Sequence, residues 1–334
     1  MSNIEWTNLT CNPIHLIRED GSHGGHWCYK VSPGCANCYS ETQNQSNYFK
    51  FASKLPYTGK APDNLIFDEK VMQELLKIRS PKKVFLGSMT DLFGEWVPDE
   101  WIDKAFAYMA IAPQHTFQIL TKRPERMKKY LDGITGYRLY QALLSCYWED
   151  ADFPRHILRK YPTQEAFLEL FENLGLPDRS IPNIWLGTSV ENQKAADDRI
   201  PSLSQTPAAV RFLSCEPLLE SIDLRKYLGL CSGCQTCEFH GGHRISKSML
   251  GWIIAGGESG PGARPCHVDS IRSIVRQCKQ SETAVFVKQL GSTPIESNPY
   301  IAGIAETHRV IRLKDRKGGN IDEFPDDLKI REFP

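Results

Sequence analysis

Three cysteines stand close together near the start of the chain, in the stretch WCYKVSPGCANCYSE: Cys28, Cys35 and Cys38. Six residues separate the first pair and two separate the second. A C-x-x-C pair lets two thiolates reach one centre from a single turn. The wider gap, with Ser32, Pro33 and Gly34, lets the chain loop back to deliver a third. Thiolates are soft ligands that select zinc or iron–sulfur centres. Structural zinc wants four ligands, so zinc here needs His23 or His26 as well. A [4Fe–4S] cluster normally takes four cysteines. With three, one iron stays open to an outside ligand, which turns an electron store into a reaction centre. The donor count favours a three-cysteine [4Fe–4S] site, with zinc and no metal as the alternatives.

A second cluster, CSGCQTCEFHGGH, sets Cys231, Cys234, Cys237, His240 and His243 at every third residue. Three thiolates and an imidazole match a Cys₃His zinc site. An auxiliary iron–sulfur cluster and an empty loop are the alternatives. A metal here would order a segment with little core of its own. The other cysteines, Cys11, Cys146, Cys215, Cys266 and Cys278, are scattered and read as buried small hydrophobes. Cys215, in LSCEPLL at an expected strand end, is also a candidate hydrogen-atom donor. Eleven cysteines is an odd number, and MSNIEWTNLT lacks a charged-then-apolar leader pattern. Both argue against a disulfide framework and for a reducing cytoplasm.

The elements that would position these residues follow from the apolar runs. Val84–Gly87, Thr116–Leu120, Ile184–Thr188, Val210–Cys215, Trp252–Ala255 and Ala284–Val287 are short, continuous and apolar, as strands covered on both faces are. A first strand is expected near Glu5–Thr10. Helical patterns follow at Trp101–Ile111, from Lys122-Arg123-Pro124-Glu125 onward, at Glu191–Ile200 and at Asp269–Gln280. Strands alternating with helices indicate βαβ units. The expected fold is α/β, a full or partial TIM-like (βα)6–7 barrel, with a doubly wound sheet as runner-up. Residues 1–306 read as the barrel domain, carrying a helical insertion at 133–183 and the Cys/His metal loop at 228–250. Residues 307–334 read as a charged C-terminal extension. Forty basic residues balance forty acidic ones, so only a local basic groove could attract nucleic acid. No apolar run reaches the length of a membrane span.

The residues that close these strands are small and polar: Gly87-Ser88-Met89-Thr90-Asp91, Thr121-Lys122-Arg123, Thr188-Ser189-Val190-Glu191, Ser214-Cys215-Glu216, Gly256-Gly257-Glu258-Ser259 and Lys288-Gln289. Barrel active sites lie at the carboxyl ends of strands. Any one such end reads as a helix cap. Together they make a polar ring, which is a better sign of a site. Lys122, Arg123 and Arg126 could dock a phosphate there, or cap a solvated helix.

The cysteine loop resembles that of the radical S-adenosylmethionine superfamily, although the usual first gap is shorter and an aromatic usually stands where this chain has Asn37. A closer resemblance runs through IEWTNLTCNPI, KVSPGCANCYSE, VFLGSMTDLF, APQHTFQILTKRPERM, IWLGTSVENQKAADDRIP, TPAAVRFLSCEPLL, IIAGGESGPGARP and VFVKQLG. These segments look like a phage-associated three-cysteine-motif family, a divergent branch of that superfamily. The resemblance implies a radical SAM barrel. In it the [4Fe–4S] cluster of Cys28, Cys35 and Cys38 reductively cleaves S-adenosylmethionine to a 5′-deoxyadenosyl radical, which abstracts hydrogen from a substrate. Candidate cofactor contacts are Glu191, Glu216 and Glu258 for the ammonium or ribose, Ser88, Lys122 and Ser189 for the carboxylate, and Gly256 and Gly257 for close backbone approach. Some phage members are linked to hypermodified thymines in DNA, and ILTK is similar to a stretch of spore photoproduct lyase. Both point to DNA or a nucleotide as substrate, in a rearrangement of isomerase or lyase type. An electron donor of flavodoxin or ferredoxin type is implied, in the cytoplasm of the cell or of a phage host. The competing class is a zinc-dependent nucleic-acid-binding module in which both cysteine clusters are structural.

Overall fold

Continuous apolar runs do become parallel strands. The computed structural model describes residues 4–48, 51–149, 153–174, 180–231, 244–297 and 308–334. Its chain divides into two compact units. The first comprises Met1–Val31, Cys38–Leu186 and Gln205–Ala209. The second comprises Ser32–Asn37, Gly187–Ser204 and Val210–Pro334.

The first unit opens with β1 (Leu9–Cys11) and β2 (Ile14–Leu16), and α1 (Tyr39–Gln45) follows the cysteine loop. β3 (Leu65–Phe67) pairs antiparallel with β2. Then come α2 (Glu69–Lys77), β4 (Lys83–Leu86), α3 (Asp99–Ala110), β5 (Thr116–Thr121) and α4 (Pro124–Asp132). Asp68 caps α2 by accepting from the Lys70 N–H. Pro98 precedes α3, whose first turn carries Asp99 and Glu100 where the helix dipole favours acids. β1 runs parallel to β4, and β4 to β5. The first strand starts later than expected. Thr7 Oγ1 and Asn8 N both donate to Lys83 O, which turns residues 5–8 onto the β4 edge before pairing begins. Helices α5 (Gly136–Glu149), α6 (Arg155–Lys160) and α7 (Gln164–Glu172) occupy the 133–183 segment. α5 packs against both α3 and α7. Leu139, Leu143, Phe167 and Phe171 are buried there.

β6 (Ile184–Ser189) is divided between the units, with residues through Leu186 in the first and those from Gly187 in the second. Then follow α8 (Gln193–Ser204), β7 (Val210–Cys215), β8 (Trp252–Gly256), β9 (Cys266–His267), α9 (Val268–Ser281), β10 (Ala284–Gln289), β11 (Pro294–Ser297) and β12 (His308–Val310). β7 is parallel to β8, and β8 to β10. β9, β11 and β12 form a small separate sheet. The charged tail is not loose. Val287 N donates to Ile330 O and Glu332 N to Val285 O, so the tail lines the free edge of β10 and buries Phe324 and Leu328. Such cover protects an edge strand.

The principal sheet has seven strands in the order β1-β4-β5-β6-β7-β8-β10. That order follows the chain without reversal, as in a barrel-type βα sheet. A doubly wound sheet reverses at a switch point, so the runner-up topology is set aside. Consecutive residues of β8 and β10, Trp252 to Ala255 and Val285 to Val287, are all buried, as a sheet covered on both faces requires. Among the described residues no helix is long and apolar enough to cross a membrane.

Candidate functional site

The cysteine loop is divided between the units. Its ends, through Val31 and from Cys38, go with the first, and Ser32–Asn37 goes with the second. Each part is held by its own anchors.

In the first unit, Cys28 and Cys38 pack against the buried cluster of Leu16, Trp27 and Tyr57. Neither is in a disulfide, and both are half-buried. Burial pushes the Cys28 thiol up to about 12; Asp91 adds to the rise and Arg123 opposes it. The anchor next to Cys28 is Arg123. Its Nη2 donates to Tyr29 O at 3.2 Å, its Nη1 to Asp91 at 3.0 Å and its Nε to Glu95 at 2.7 Å. Its guanidinium carbon lies 4.7 Å from the centroid of the Trp96 ring. Asp91 also accepts from Thr121 Oγ1 and from the Lys122 N–H, so the ends of β4 and β5 are tied into the same network. Thr90 Oγ1 donates to Trp27 O. Beyond Cys38, Ser40 donates to Met89 O and Tyr39 to Ser88 O.

In the second unit, Ser32–Asn37 is gripped at three points. Pro33–Cys35 is a single 3₁₀ turn. The Gly34 N–H donates to Glu191 Oε1 at 3.3 Å. Glu191 is fully buried and accepts from Arg199 Nη1 at 2.9 Å. Arg264 Nη1 donates to Pro33 O at 2.9 Å, and Asn37 Nδ2 donates to Glu258 Oε2 at 2.8 Å. Glu258 and Arg264 form a two-pronged ion pair through Nε and Nη2. Burial works to raise the Glu258 carboxyl, but the Arg264 and Asn37 hydrogen bonds outweigh it and hold it below the usual range.

The expected cofactor contacts are therefore not alike. Ser88 exchanges hydrogen bonds with the Asn12 side chain. Ser189 is buried, and its carbonyl accepts from Arg199. Glu191 and Glu258 grip the cysteine loop. Glu216 lies 3.2 Å from Lys288 Nζ. A Cβ on Gly256 would fall 2.6 Å from Glu216 Oε1, and one on Gly257 would overlap Leu290 O. These glycines make room for neighbouring protein groups. Lys122 keeps its ammonium without a partner among the described residues. Of the other cations considered for phosphate, Arg123 is committed to Asp91 and Glu95, and Arg126 to Val97 O and Asp99.

Asn12, Asn37 and Arg199 were not singled out as site residues from the sequence. The departure from an aromatic at position 37 was the signal available for Asn37, whose amide bridges Glu258 and Gly262 O. Cys11, Cys215, Cys266 and Cys278 are buried, and burial pushes each thiol up. Of the second cluster, only Cys231 is described; it is a free thiol just inside a base closed by the Leu230–Arg244 bridge. Cys234, Cys237, His240 and His243 lie outside the described residues, as does the metal they were expected to share. Among the described residues no group of three His, Cys, Asp or Glu side chains is placed to hold a metal ion. A [4Fe–4S] cluster sets a different demand, since each thiolate binds a different iron.

Fold and site together define an α/β protein with a parallel βα sheet and a braced loop whose three cysteines are in no disulfide. The chain belongs to the family described as protein of unknown function (DUF5131), whose model matches residues 1–325. No curated protein and no solved structure matches it.

Proposed function

We propose that the chain is a radical S-adenosylmethionine enzyme in which Cys28, Cys35 and Cys38 hold a [4Fe–4S] cluster. The observation that carries this reading is the bracing of the loop. Five charged or amide side chains, Arg123, Glu191, Asn37, Glu258 and Arg264, hold a segment of little core of its own, and none of its three cysteines is in a disulfide. Burying charge is costly unless it is paired and hydrogen-bonded, so such bracing supports a role in fixing ligand positions. The donor set fits: three soft thiols, none in a disulfide. When bound, the cluster would supply the electron that splits the sulfonium of S-adenosylmethionine and frees a 5′-deoxyadenosyl radical.

The chain's own residues would do the rest. Arg123 fixes the carbonyl beside Cys28, and Glu191 and Arg264 fix the turn that carries Cys35. That makes Glu191 and Glu258 positioning residues for the loop in this reading. Lys122 is left to meet a carboxylate or phosphate, and the Glu216–Lys288 pair to meet polar groups at the ends of β7 and β10. Trp27, Tyr57 and Leu16 keep water from Cys28 and Cys38. The substrate proposed is a thymine-type base in DNA or a nucleotide, the electron donor a flavodoxin or ferredoxin, and the second cysteine cluster a structural zinc site. Anaerobic reconstitution tests the reading. About four irons per chain are expected, lost in Cys28→Ala, Cys35→Ala or Cys38→Ala, with 5′-deoxyadenosine formed on adding S-adenosylmethionine and reductant. A colourless protein that holds zinc at these three residues would sink it.

A further inference from the structure

The four residues after Gly87 act together. β4 ends at Leu86, and Gly87 turns the chain at a φ of +80°, which glycine adopts without strain. Gly87 N donates to Cys11 O at 2.8 Å. The Met89 N–H then donates to Asn12 Oδ1 at 2.9 Å, and Asn12 Nδ2 donates to Ser88 Oγ at 3.0 Å. Asn12 stands just past the end of β1, the strand beside β4. The end of one strand thus fixes the chain that leaves its neighbour. Met89, Thr90 and Asp91 are buried.

Each of the four residues reaches the flank of a cysteine. Ser88 O accepts from Tyr39, and Met89 O accepts from Ser40 Oγ at 2.8 Å. Tyr39 and Ser40 directly follow Cys38. Thr90 Oγ1 donates to Trp27 O at 2.7 Å, on the residue before Cys28. Asp91 accepts from Arg123 Nη1 at 3.0 Å, and Arg123 Nη2 donates to Tyr29 O at 3.2 Å, on the residue after Cys28. Residues 88 and 89 therefore hold the Cys38 side, and residues 90 and 91 hold the Cys28 side. The flanks also clasp each other, since Lys30 Nζ lies 2.5 Å from Glu41 Oε2. That pair is partly exposed, and water weakens it. The bonds from Thr90, from Ser40 and from Arg123 to Asp91 are buried.

We infer that residues 88–91, set by Asn12, are a template that holds Cys28 and Cys38 in place as ligands whether or not a cluster is bound. Only the flanks of the cysteine loop belong to the first unit; Ser32–Asn37 goes with the second. Within the first unit the separation of the two thiols is thus set by what grips the flanks. Groups that hold a metal ligand without touching the metal orient it and tune the site. Asn12 is such a positioning residue at one further remove. Among the described residues it bonds to Ser88 and Met89 and to nothing in the cysteine loop. The inference deepens the proposed function and rests on its choice of Cys28 and Cys38 as ligands.

The test is maleimide labelling of the iron-free full chain, followed thiol by thiol by peptide mass spectrometry. Cys11 and Cys278 are fully buried standards that report general opening. Asn12→Ala should speed labelling of both Cys28 and Cys38 about tenfold, as losing a buried hydrogen-bond partner favours local opening. Cys11 and Cys278 should keep their rates. Asn12→Asp keeps the acceptor for Met89 N and should restore both rates. Thr90→Val keeps the shape, leaves Trp27 O without its donor and should speed Cys28 alone. This second variant decides the matter if Asn12→Ala does not fold. Unchanged rates at Cys28 and Cys38, a change at only one of them in Asn12→Ala, or an equal rise at Cys11 overturns the inference. Iron uptake is read separately on the same variants. A chain that loads iron as well in Asn12→Ala as in the parent overturns this inference alone. One whose thiols respond as expected but that takes up iron in no form overturns the cluster reading alone.

Discussion

The carboxylate of Glu191, with no exposed surface, accepts the backbone N–H of Gly34 across 157 positions of sequence. A Cβ at Gly34 would come within 3.1 Å of the Glu191 carboxyl carbon, so glycine is what lets the turn approach so closely. The same carboxylate neutralises Arg199, which also holds Ser189 O at the end of β6.

Glu191→Gln keeps the shape and removes the charge. Arg199 then loses its ion-pair partner in a site where only a tenth of its side chain is exposed. Breaking a buried pair from one side costs about 3–5 kcal/mol. The expected result is a loss near the lower figure in urea unfolding, because Gln can still accept from Gly34. If Glu191 positions Cys35, iron content should fall in the folded fraction as well. A variant that is destabilised but fully loaded with iron would confine Glu191 to stability.

Arg123→Lys is expected to be far from conservative. The guanidinium reaches Asp91, Glu95 and Tyr29 O at once and stacks over Trp96. A lysine has one nitrogen and no planar fork. It can keep Asp91 or Tyr29 O, and Asp91 is nearly buried. A loss of about 2–4 kcal/mol is expected. Thermal and urea unfolding measure it, and a loss below about 0.5 kcal/mol would show that the network holds without the fork.

The strands were legible because each is a run of adjacent apolar residues, a local property: VFLG, TFQIL, IWLGT, VRFLSC, WIIA and AVFV all became strands of the main sheet. The helical nature of 133–183 was legible for the same reason. The uses of the strand-end polar residues were not. Glu258 reads as a free acid in GGESG, yet its partner Asn37 lies 221 positions away. Spacing along the chain says nothing about a hydrogen bond at that range. The tail read as an extension because its charges mask the few residues, Phe324 and Leu328, that bury it.

Gly256→Ala should separate packing from backbone freedom. Gly256 does not have a left-handed backbone, so alanine meets no dihedral strain there. Its Cβ would instead meet Glu216 Oε1 at 2.6 Å and Gln289 O at 3.1 Å. Overpacking of this kind costs about 1–3 kcal/mol. The carboxylate can swing away only by leaving Lys288. The double variant Gly256→Ala/Glu216→Ala should therefore recover part of the loss. A double-mutant cycle in urea checks this, and strict additivity would remove Glu216 as the cause.

His23 stacks on His15 at 3.9 Å between ring centroids, with His26 at 5.0 Å and Phe51 at 4.7 Å. Asp68 is hydrogen-bonded to His15, and Arg18 adds positive charge from the same strand end. Burial lowers the His23 imidazole from 6.5 to about 4, and its cationic neighbours add to the fall. The sign follows from proton counting. Unfolded His23 takes up its proton near 6.5, whereas folded His23 resists down to about 4. Between those values the unfolded state binds more protons, so stability falls as the pH falls. The contribution is complete above 6.5 and is exhausted below about 4. His23→Gln removes the titration and keeps a polar side chain able to accept from Gly25 N, as His23 Nδ1 does. The expected outcome is a shallower loss of urea midpoint between pH 6.5 and 4 in the variant than in the parent. Parallel curves across that range would mean that His23 titrates normally and that the stack opens before it is protonated.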